Sequence, residues 1–397
     1  MVIKKLIAIS VVFALVAGAA FAVDLGGQVI TSVDVAASAK GADAELFTNG
    51  KVGRARLEGS GEAEIGIGTI GGWFRLDKPD GGLYGIPTAT EVADGANVTG
   101  ADIRKVGVWF GGIQGKAWWQ PIEQFRIQLG HNGDGEYDTH HIVRYGFQAQ
   151  ANEIGGLGAR NMWSGAAGSD ATIYGGDGGG TARDVAFIIT PMDGVSINIA
   201  FPWNAGPAGD DKAIANTFKK VLFQVNYNAD FGAIHVTYDG VNSATTMGNF
   251  YASAYLGSLV EGLGLEVGGK FAIGKSGNKL PINVGLGVKY DVSEQFGVKL
   301  RSFFAIPTAS GGKVAMAVDL QPYYAINDSV TGFFNFGIVK GTDMTFFIAP
   351  YVRVGSEWGS GFYAGFYFSN DNAGSFDSGV KAAKASWGIP IGLIASF

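Results

Sequence analysis

Ile282-Asn-Val-Gly-Leu-Gly-Val-Lys-Tyr290 is apolar at every even position, through Ile282, Val284, Leu286, Val288 and Tyr290, with Asn283, Gly285, Gly287 and Lys289 between them. A period of two is the period of a β-strand, whose successive side chains point to opposite faces. The pattern extends outward from this stretch. In 296–306, Phe296, Val298, Leu300, Phe304 and Ile306 oppose Lys299 and Arg301. In 313–326, Val314, Met316, Val318, Leu320, Pro322, Tyr324 and Ile326 oppose Lys313, Asp319 and Gln321. Further on, Phe346, Ile348, Val352 and Val354 oppose Asp343, Thr345 and Arg353. Short stretches rich in Asn, Asp, Gly and Ser separate these segments, at 191–194, 228–230, 291–295, 326–329 and 355–358. Such residues favour turns because they accept positive φ or bond their own backbone. Many strands, short turns and no helical stripe describe an antiparallel hairpin ladder.

Composition removes other classes. The chain has 64 glycines in 397 residues and no cysteine. Glycine is thus about twice as frequent as the roughly 7% of ordinary proteins, while the 16% of charged residues falls below the usual roughly 25%. A chain that is 47% hydrophobic and 12% aromatic is not disordered. Without cysteine there is no disulfide scaffold, Cys-ligated zinc, iron–sulfur cluster or Cys nucleophile. A net charge of −6 gives no reason to expect nucleic acid as a partner.

Residues 1–22 read as a secretory signal. Lys4 and Lys5 form a basic start, 6–19 an apolar run, and Ala20-Phe21-Ala22 an A-x-A cleavage site. The apolar run is too short for a spanning helix, and no later run reaches 18 apolar residues. The expected division is a signal peptide, 1–22, cleaved after Ala22, and a β-barrel over 23–397.

Two folds can use such a ladder. A soluble sandwich or β-helix would bury the apolar face. A membrane barrel turns the apolar face to lipid and the polar, glycine-rich face to the lumen. Three features favour the barrel. Strand-plus-turn units run to the last residue. Aromatic doublets (Trp73-Phe74, Trp118-Trp119, Tyr323-Tyr324, Phe333-Phe334, Phe346-Phe347, Phe362-Tyr363) stand near strand ends, as interfacial girdles do. A closed barrel also leaves no unpaired edge.

The last strand adds a resemblance. Trp387-Gly-Ile-Pro-Ile-Gly-Leu-Ile-Ala-Ser-Phe397 alternates and stops on an aromatic residue. It resembles the terminal strand of Gram-negative outer-membrane barrels. In that family the ending Phe implies recognition by the barrel-assembly machinery, a role that falls here on Phe397. Pro390 departs from the pattern, since proline cannot donate to a ladder and belongs at an edge or a bulge. Ala117-Trp-Trp-Gln-Pro-Ile-Glu-Gln-Phe-Arg-Ile-Gln-Leu-Gly130 is similar to the strand, Pro-containing turn and strand of porin-like proteins, spirochaete outer-membrane porins in particular. The resemblance implies an outer-membrane location, lipid around the wall and homotrimers, on which the residues themselves are silent.

The strands expected are 26–38, 51–61, 67–77, 106–119, 123–130, 183–190, 194–201, 217–228, 231–240, 248–258, 262–273, 281–290, 295–306, 312–325, 329–339, 343–354, 358–369 and 383–396. They number about 18, with 16 the alternative. The long connections are 78–105 and the Gly- and Asp-rich 131–182. The first strand begins close to the cleavage site and the last ends at Phe397, so no plug, passenger or periplasmic domain is expected.

Alternation assigns Arg54, Arg56, Glu58, Arg75, Asp77, Arg126, Asp239, Glu266, Lys270, Lys289, Lys299, Arg301, Asp319, Asp343 and Arg353 to the lumen. Basic residues outnumber acidic ones there, so the wall leans positive and favours anions. The opposing reading is that these charges merely hydrate the wall and pair across strands.

Sharper motifs carry less. Gly66-x-Gly68-x-x-Gly71 matches a dinucleotide fingerprint but lacks the following helix, and the run 175–180 lacks the Lys-Ser/Thr of a P-loop. Asp134, Glu136 and Asp138 place oxygens at alternate positions, as a Ca²⁺ loop does, without the full EF-hand pattern; a solvated acidic loop is the plainer reading. His131, His140 and His141 share that loop, but adjacent histidines rarely converge on zinc. His235 stands alone as a polar wall residue. No catalytic constellation and no cofactor are expected. The functional expectation is a porin passing small hydrophilic solutes and ions. The alternative is an adhesin or structural barrel whose lumen is blocked by loop 131–182.

Overall fold

The computed structural model of the chain describes residues 24–40, 43–81, 112–130, 185–202, 217–240, 245–275, 280–340, 344–356, 359–370 and 385–397. The alternating segments pair into one antiparallel sheet that closes on itself. Its strands are β1 (Asp24–Lys40), β2 (Asp43–Glu64), β3 (Thr69–Gly81), β4 (Gly112–Ile122), β5 (Phe125–Gly130), β6 (Val185–Met192), β7 (Val195–Phe201), β8 (Leu222–Ala229), β9 (Gly232–Gly240) and β10 (Thr246–Val260). They continue as β11 (Leu263–Gly274), β12 (Ile282–Asp291), β13 (Phe296–Ile306), β14 (Ala315–Asn327), β15 (Val330–Lys340), β16 (Met344–Gly355), β17 (Gly361–Gly365), β18 (Tyr367–Ser369) and β19 (Ala385–Ser396). Both β17 and β18 lie between β16 and β19. They are two halves of one stave, so the wall is an 18-strand barrel, the expected number.

Each strand pairs with its sequence neighbours, and β19 returns to β1. This seam runs from Gln28 opposite Ser396 to Ala39 opposite Ala385. Its terminal-side end is fixed by two backbone bonds, from Gly27 N–H to Phe397 O at 2.7 Å and from Phe397 N–H to Gly27 O at 3.0 Å. The Phe397 ring lies against Gly27, where an added Cβ would stand 2.5 Å from the ring. No helix among the described residues is long and apolar enough to cross a membrane.

Burial is inverted relative to a water-soluble sheet. Leu286, Leu320, Phe334, Ile391 and Leu393 are exposed, whereas Lys299 is 4% and Asp319 2% exposed. The apolar face is the outer surface and the polar face is the inside of the closed sheet. That sorting suits a wall surrounded by lipid, where every backbone group must be satisfied within the sheet.

Connections differ at the two rims. On the rim that carries Asp24 and Phe397 the turns are 65–68, 123–124, 193–194, 230–231, 261–262, 292–295 and 328–329. Local chemistry builds them. Asn327 Oδ1 accepts from the backbone N–H of Ser329 (2.9 Å) and Val330 (3.0 Å), and Ser293 Oγ accepts from Phe296 N–H (3.0 Å). Gly194 takes φ 75°, and a Cβ there would stand 2.1 Å from Asn228 O, so the turn requires glycine. The connections 82–111 and 131–184 lie outside the described residues.

Three features differ from the sequence reading. The strand expected from 217 begins at Leu222; residues 217–219 form a helical turn closed by Lys220 N–H to Thr217 O at 3.1 Å. Lys219-Lys220 interrupts the alternation there, so no single face can carry the segment. The second strand starts at Asp43 rather than 51, because its pairing with β1 continues past a bulge at Ile30/Thr31 as far as Lys40 opposite Asp43. The stave expected over 358–369 is broken at Phe366, whose N–H bonds Pro350 O at 3.0 Å. β17 pairs with Ile391 to Ile394 and β18 with Ser386 to Gly388, so Ile389 and Pro390 fall opposite the break. A proline that cannot donate is thereby placed where the ladder is already interrupted.

Leu286, at mid-strand on the outer face, tests this orientation. Leu286→Arg is expected to destabilise the barrel by about 2–4 kcal/mol in lipid vesicles, read by reversible denaturant unfolding.

Candidate functional site

The candidate site is the inner wall. It is built by the odd-numbered positions of β12–β16 and their equivalents elsewhere, which alternation turns inward. Two pairs of opposite charge sit directly across neighbouring strands. Arg301 Nε donates to Asp319 Oδ2 at 2.7 Å, with both side chains nearly buried, at 7% and 2% exposure. Arg75 Nε donates to Glu58 Oε2 at 3.0 Å. Arg126 donates from Nε (3.2 Å) and from an Nη (3.1 Å) to Gln120 Oε1, and its guanidinium lies 5.4 Å from the Trp118 ring centroid.

Neutral polar side chains line β7–β9. Asn198 Nδ2 donates to Gln224 Oε1 (3.0 Å), and Gln224 Nε2 donates to Thr237 Oγ1 (3.1 Å). Asn226 Nδ2 donates to Ser196 Oγ (3.0 Å) and to Gln224 Oε1 (3.2 Å), and His235 Nδ1 lies 2.9 Å from Asn226 Oδ1. His235 is thus one member of an amide ladder.

Of the charged residues assigned to the lumen, Asp239, Glu266, Lys270, Lys299, Arg301, Asp319 and Arg353 are all buried. Arg56, Glu58, Arg75, Arg126 and Lys289 are half-buried. Arg54 and Asp77 belong to β2 and β3; Asp343 lies outside the described residues, as do 1–22, Asp134, Glu136, Asp138, His131, His140 and His141. Phe397 is 73% exposed at the terminal-side rim. No group of three or more His, Asp or Glu that could hold a metal ion occurs among the described residues.

Like charges also meet across strands on this wall. Lys289 stands directly opposite Lys299, a like-charge register that destabilises a sheet unless something offsets it. Asp291, which the sequence reading left out of the wall, lies two residues along from Lys289, and its Oδ2 is 2.9 Å from Lys289 Nζ. It also accepts from the Tyr323 hydroxyl.

The aromatic doublets need correcting. Adjacent residues of a strand face opposite ways, so only one of each doublet can join an outer girdle. Tyr324, Phe334 and Phe362 are exposed on the outside, while Phe333, Phe347 and Tyr363 are buried. The inner members meet. Tyr323 and Phe333 centroids are 6.1 Å apart, Phe333 and Tyr351 stack at 4.7 Å, and Tyr351 and Tyr363 follow at 6.5 Å. Lys299 Nζ lies 5.5 Å from the Tyr323 ring, and Arg353 Cζ 5.2 Å from Phe333. The parity of the doublets already encoded this row.

The Gly66, Gly68 and Gly71 motif is a turn and a packing site. Gly66 and Gly68 take φ 77° and 99° in the β2–β3 turn, and the Trp118 indole covers Gly71 so closely that a Cβ would stand 2.2 Å from it.

No family model and no curated protein matches the chain. Solved structures do match in fold. A triple mutant of the Rhodopseudomonas blastica porin aligns at 12% identity and TM-score 0.50, over 95% of this chain and 100% of that one. A five-fold mutant of the same porin aligns at 13% and 0.50 over the same shares. An anion-selective porin from Comamonas acidovorans aligns at 14% and 0.47, again over 95% and 100%. The two alignments to the Rhodopseudomonas blastica porin make the barrel porin-like in fold.

The Arg301–Asp319 pair makes a measurable demand. Asp319→Asn alone leaves a buried guanidinium without its charge partner and is expected to cost about 3 kcal/mol. Combining it with Arg301→Met should recover most of the loss. A double-mutant cycle on the urea midpoint of the folded barrel would show the pair to be inert if the two single costs simply added.

Proposed function

We propose that the chain is an outer-membrane porin, forming a water-filled channel for passive diffusion of small hydrophilic solutes and ions. The observation that carries this reading is the sorting of side chains on a closed wall: apolar outward, charged and amide-bearing inward. A barrel of 16–18 strands is wide enough to leave an aqueous channel. The porin-like fold supports the same assignment. The lining residues are those assigned by alternation, from Arg54 to Arg353.

Export by the 1–22 signal, with cleavage after Ala22, belongs to this reading. So do Phe397 as the mark read by the barrel-assembly machinery, homotrimeric assembly and kinship with spirochaete-type porins through 117–130. None of it calls for catalysis or a cofactor. The wall preference is weakly anionic. Basic residues outnumber acidic ones among the positions assigned to the wall, and rings of fixed charge bias passage.

The test is single-channel recording of the purified, cleaved protein in a planar bilayer. Stable, ohmic steps are expected, with a reversal potential in a KCl gradient whose sign shows chloride more permeant than potassium. A correctly folded, heat-modifiable barrel that conducts nothing would overturn the porin reading. A cation-preferring reversal potential would overturn only the wall preference.

A further inference from the structure

Among the described strands, prolines stand at mid-strand on β14 (Pro322), β16 (Pro350) and β19 (Pro390). The others within described strands, Pro79, Pro121 and Pro191, stand within two residues of a strand end. The mid-strand prolines fall within one residue of a single level, in a row that crosses the strands. Phe334 faces Pro350. The β14–β15 register runs from Leu320 opposite Phe336 to Tyr323 opposite Phe333, which sets Pro322 level with Phe334. The pairs on either side of the broken stave set Pro350 level with Phe366, and Pro390 level with Gly365. From this row we propose that the wall yields along one transverse line: the β17–β18 stave opens as a local unit, ahead of the rest of the barrel, and makes a lateral gap between the interior and the outer face.

Three observations converge on this line. First, pairing is lost along it in succession. It is interrupted between β14 and β15 at Gln321 and Pro322, between β16 and β17–β18 at Ala349 and Pro350, and between β17–β18 and β19 at Ile389 and Pro390. Second, one stave is weakened on both edges. Phe366 N–H reaches Pro350 O at 3.0 Å, but Pro350 has no N–H to return. Successive residues of a strand aim their backbone groups at opposite edges, so Gly365 turns to β19, where Pro390 again has no N–H. In hydrocarbon no water makes up such losses. The two halves of the stave are short, five residues in β17 and three in β18, so few ladder bonds hold either one. Third, side chains on the line are small or apolar. Between β16 and β19 the inward positions at this level are Ala349, Gly365 and Pro390, too small to brace one strand against the next as Arg301 and Asp319 brace β13 against β14. Outside, an apolar groove of about 570 Å³ lies over the line, and Pro322, Phe334, Pro350 and Phe366 line it.

The test is deuterium exchange of the full chain folded in lipid vesicles, read by peptide mass spectrometry. Amides of 361–369 are expected to exchange well ahead of those of 282–290 while the barrel stays folded. Pro350→Val returns the missing N–H in a residue that suits a strand. It should slow exchange in 361–369 about fivefold, the weight of one hydrogen bond, and leave 282–290 unchanged. A second variant closes the line covalently. The chain has no cysteine, and Phe368 faces Trp387 in register, within disulfide reach. Phe368→Cys combined with Trp387→Cys should exchange more slowly in 361–369 when oxidised than when reduced. Equal exchange of 361–369 and 282–290 in the native chain overturns the proposal, as does a Pro350→Val effect that is absent or spread evenly over all strands. If Pro350→Val misfolds, the oxidised and reduced forms of the cysteine pair decide alone. Local opening requires the closed wall but no conduction, so a silent barrel overturns the porin reading and leaves the opening untouched.

Discussion

Every strand of this molecule needs a partner on both edges, because a backbone N–H or C=O facing hydrocarbon has no water to turn to. Closure answers that need. Once β19 pairs with β1 the sheet has no edge, and the side chains are free to be sorted by face rather than by depth. The apolar residues that would be a core in a soluble sheet become the exterior. The interior becomes the place where charge, amides and rings can be arranged.

The arrangement is not uniform around the wall. β7–β9 carry amides bonded to one another, a neutral and self-satisfied surface. β13–β14 carry a buried ion pair set directly in register. β12–β16 gather lysines, an arginine and a row of rings near one rim. Glycines between the larger inward residues, such as Gly285 and Gly287 on β12, leave room for the side chains of neighbouring strands to lie along the wall. A single alternating template thus supports neutral, paired and cationic sectors by changing only its inward letters.

Most of the fold was legible because the period of two is a direct property of the extended chain. Stretches such as 282–290 and 296–306 announce their strands almost to the residue. Legibility failed where alternation was locally absent or ambiguous. Lys219-Lys220 broke the period and gave a turn. Phe366 stood in a continuous apolar pattern that could not reveal a break imposed by pairing across Pro350 and Pro390. The charged wall was equally readable, since one face of each strand is polar. Its pairing was not, because register between strands depends on turn geometry and bulges that the period does not specify. Arg301 could be placed inside from its parity, but not opposite Asp319. The inner row of rings was obscured by treating aromatic doublets as units.

The seam also bears on how the molecule is made. Gln28 Nε2 donates to Ser396 Oγ at 3.3 Å across a separation of 368 positions in sequence. Every other stave can zip onto its neighbour in sequence, at smaller loop-closure cost. The first strand cannot: half of its hydrogen-bonding capacity stays open until the last strand is in place. For that interval the growing sheet has an exposed edge able to pair with other chains. The slow step of assembly is therefore expected to be ring closure rather than strand formation, and whatever escorts the chain must shield the edge of β1 longest.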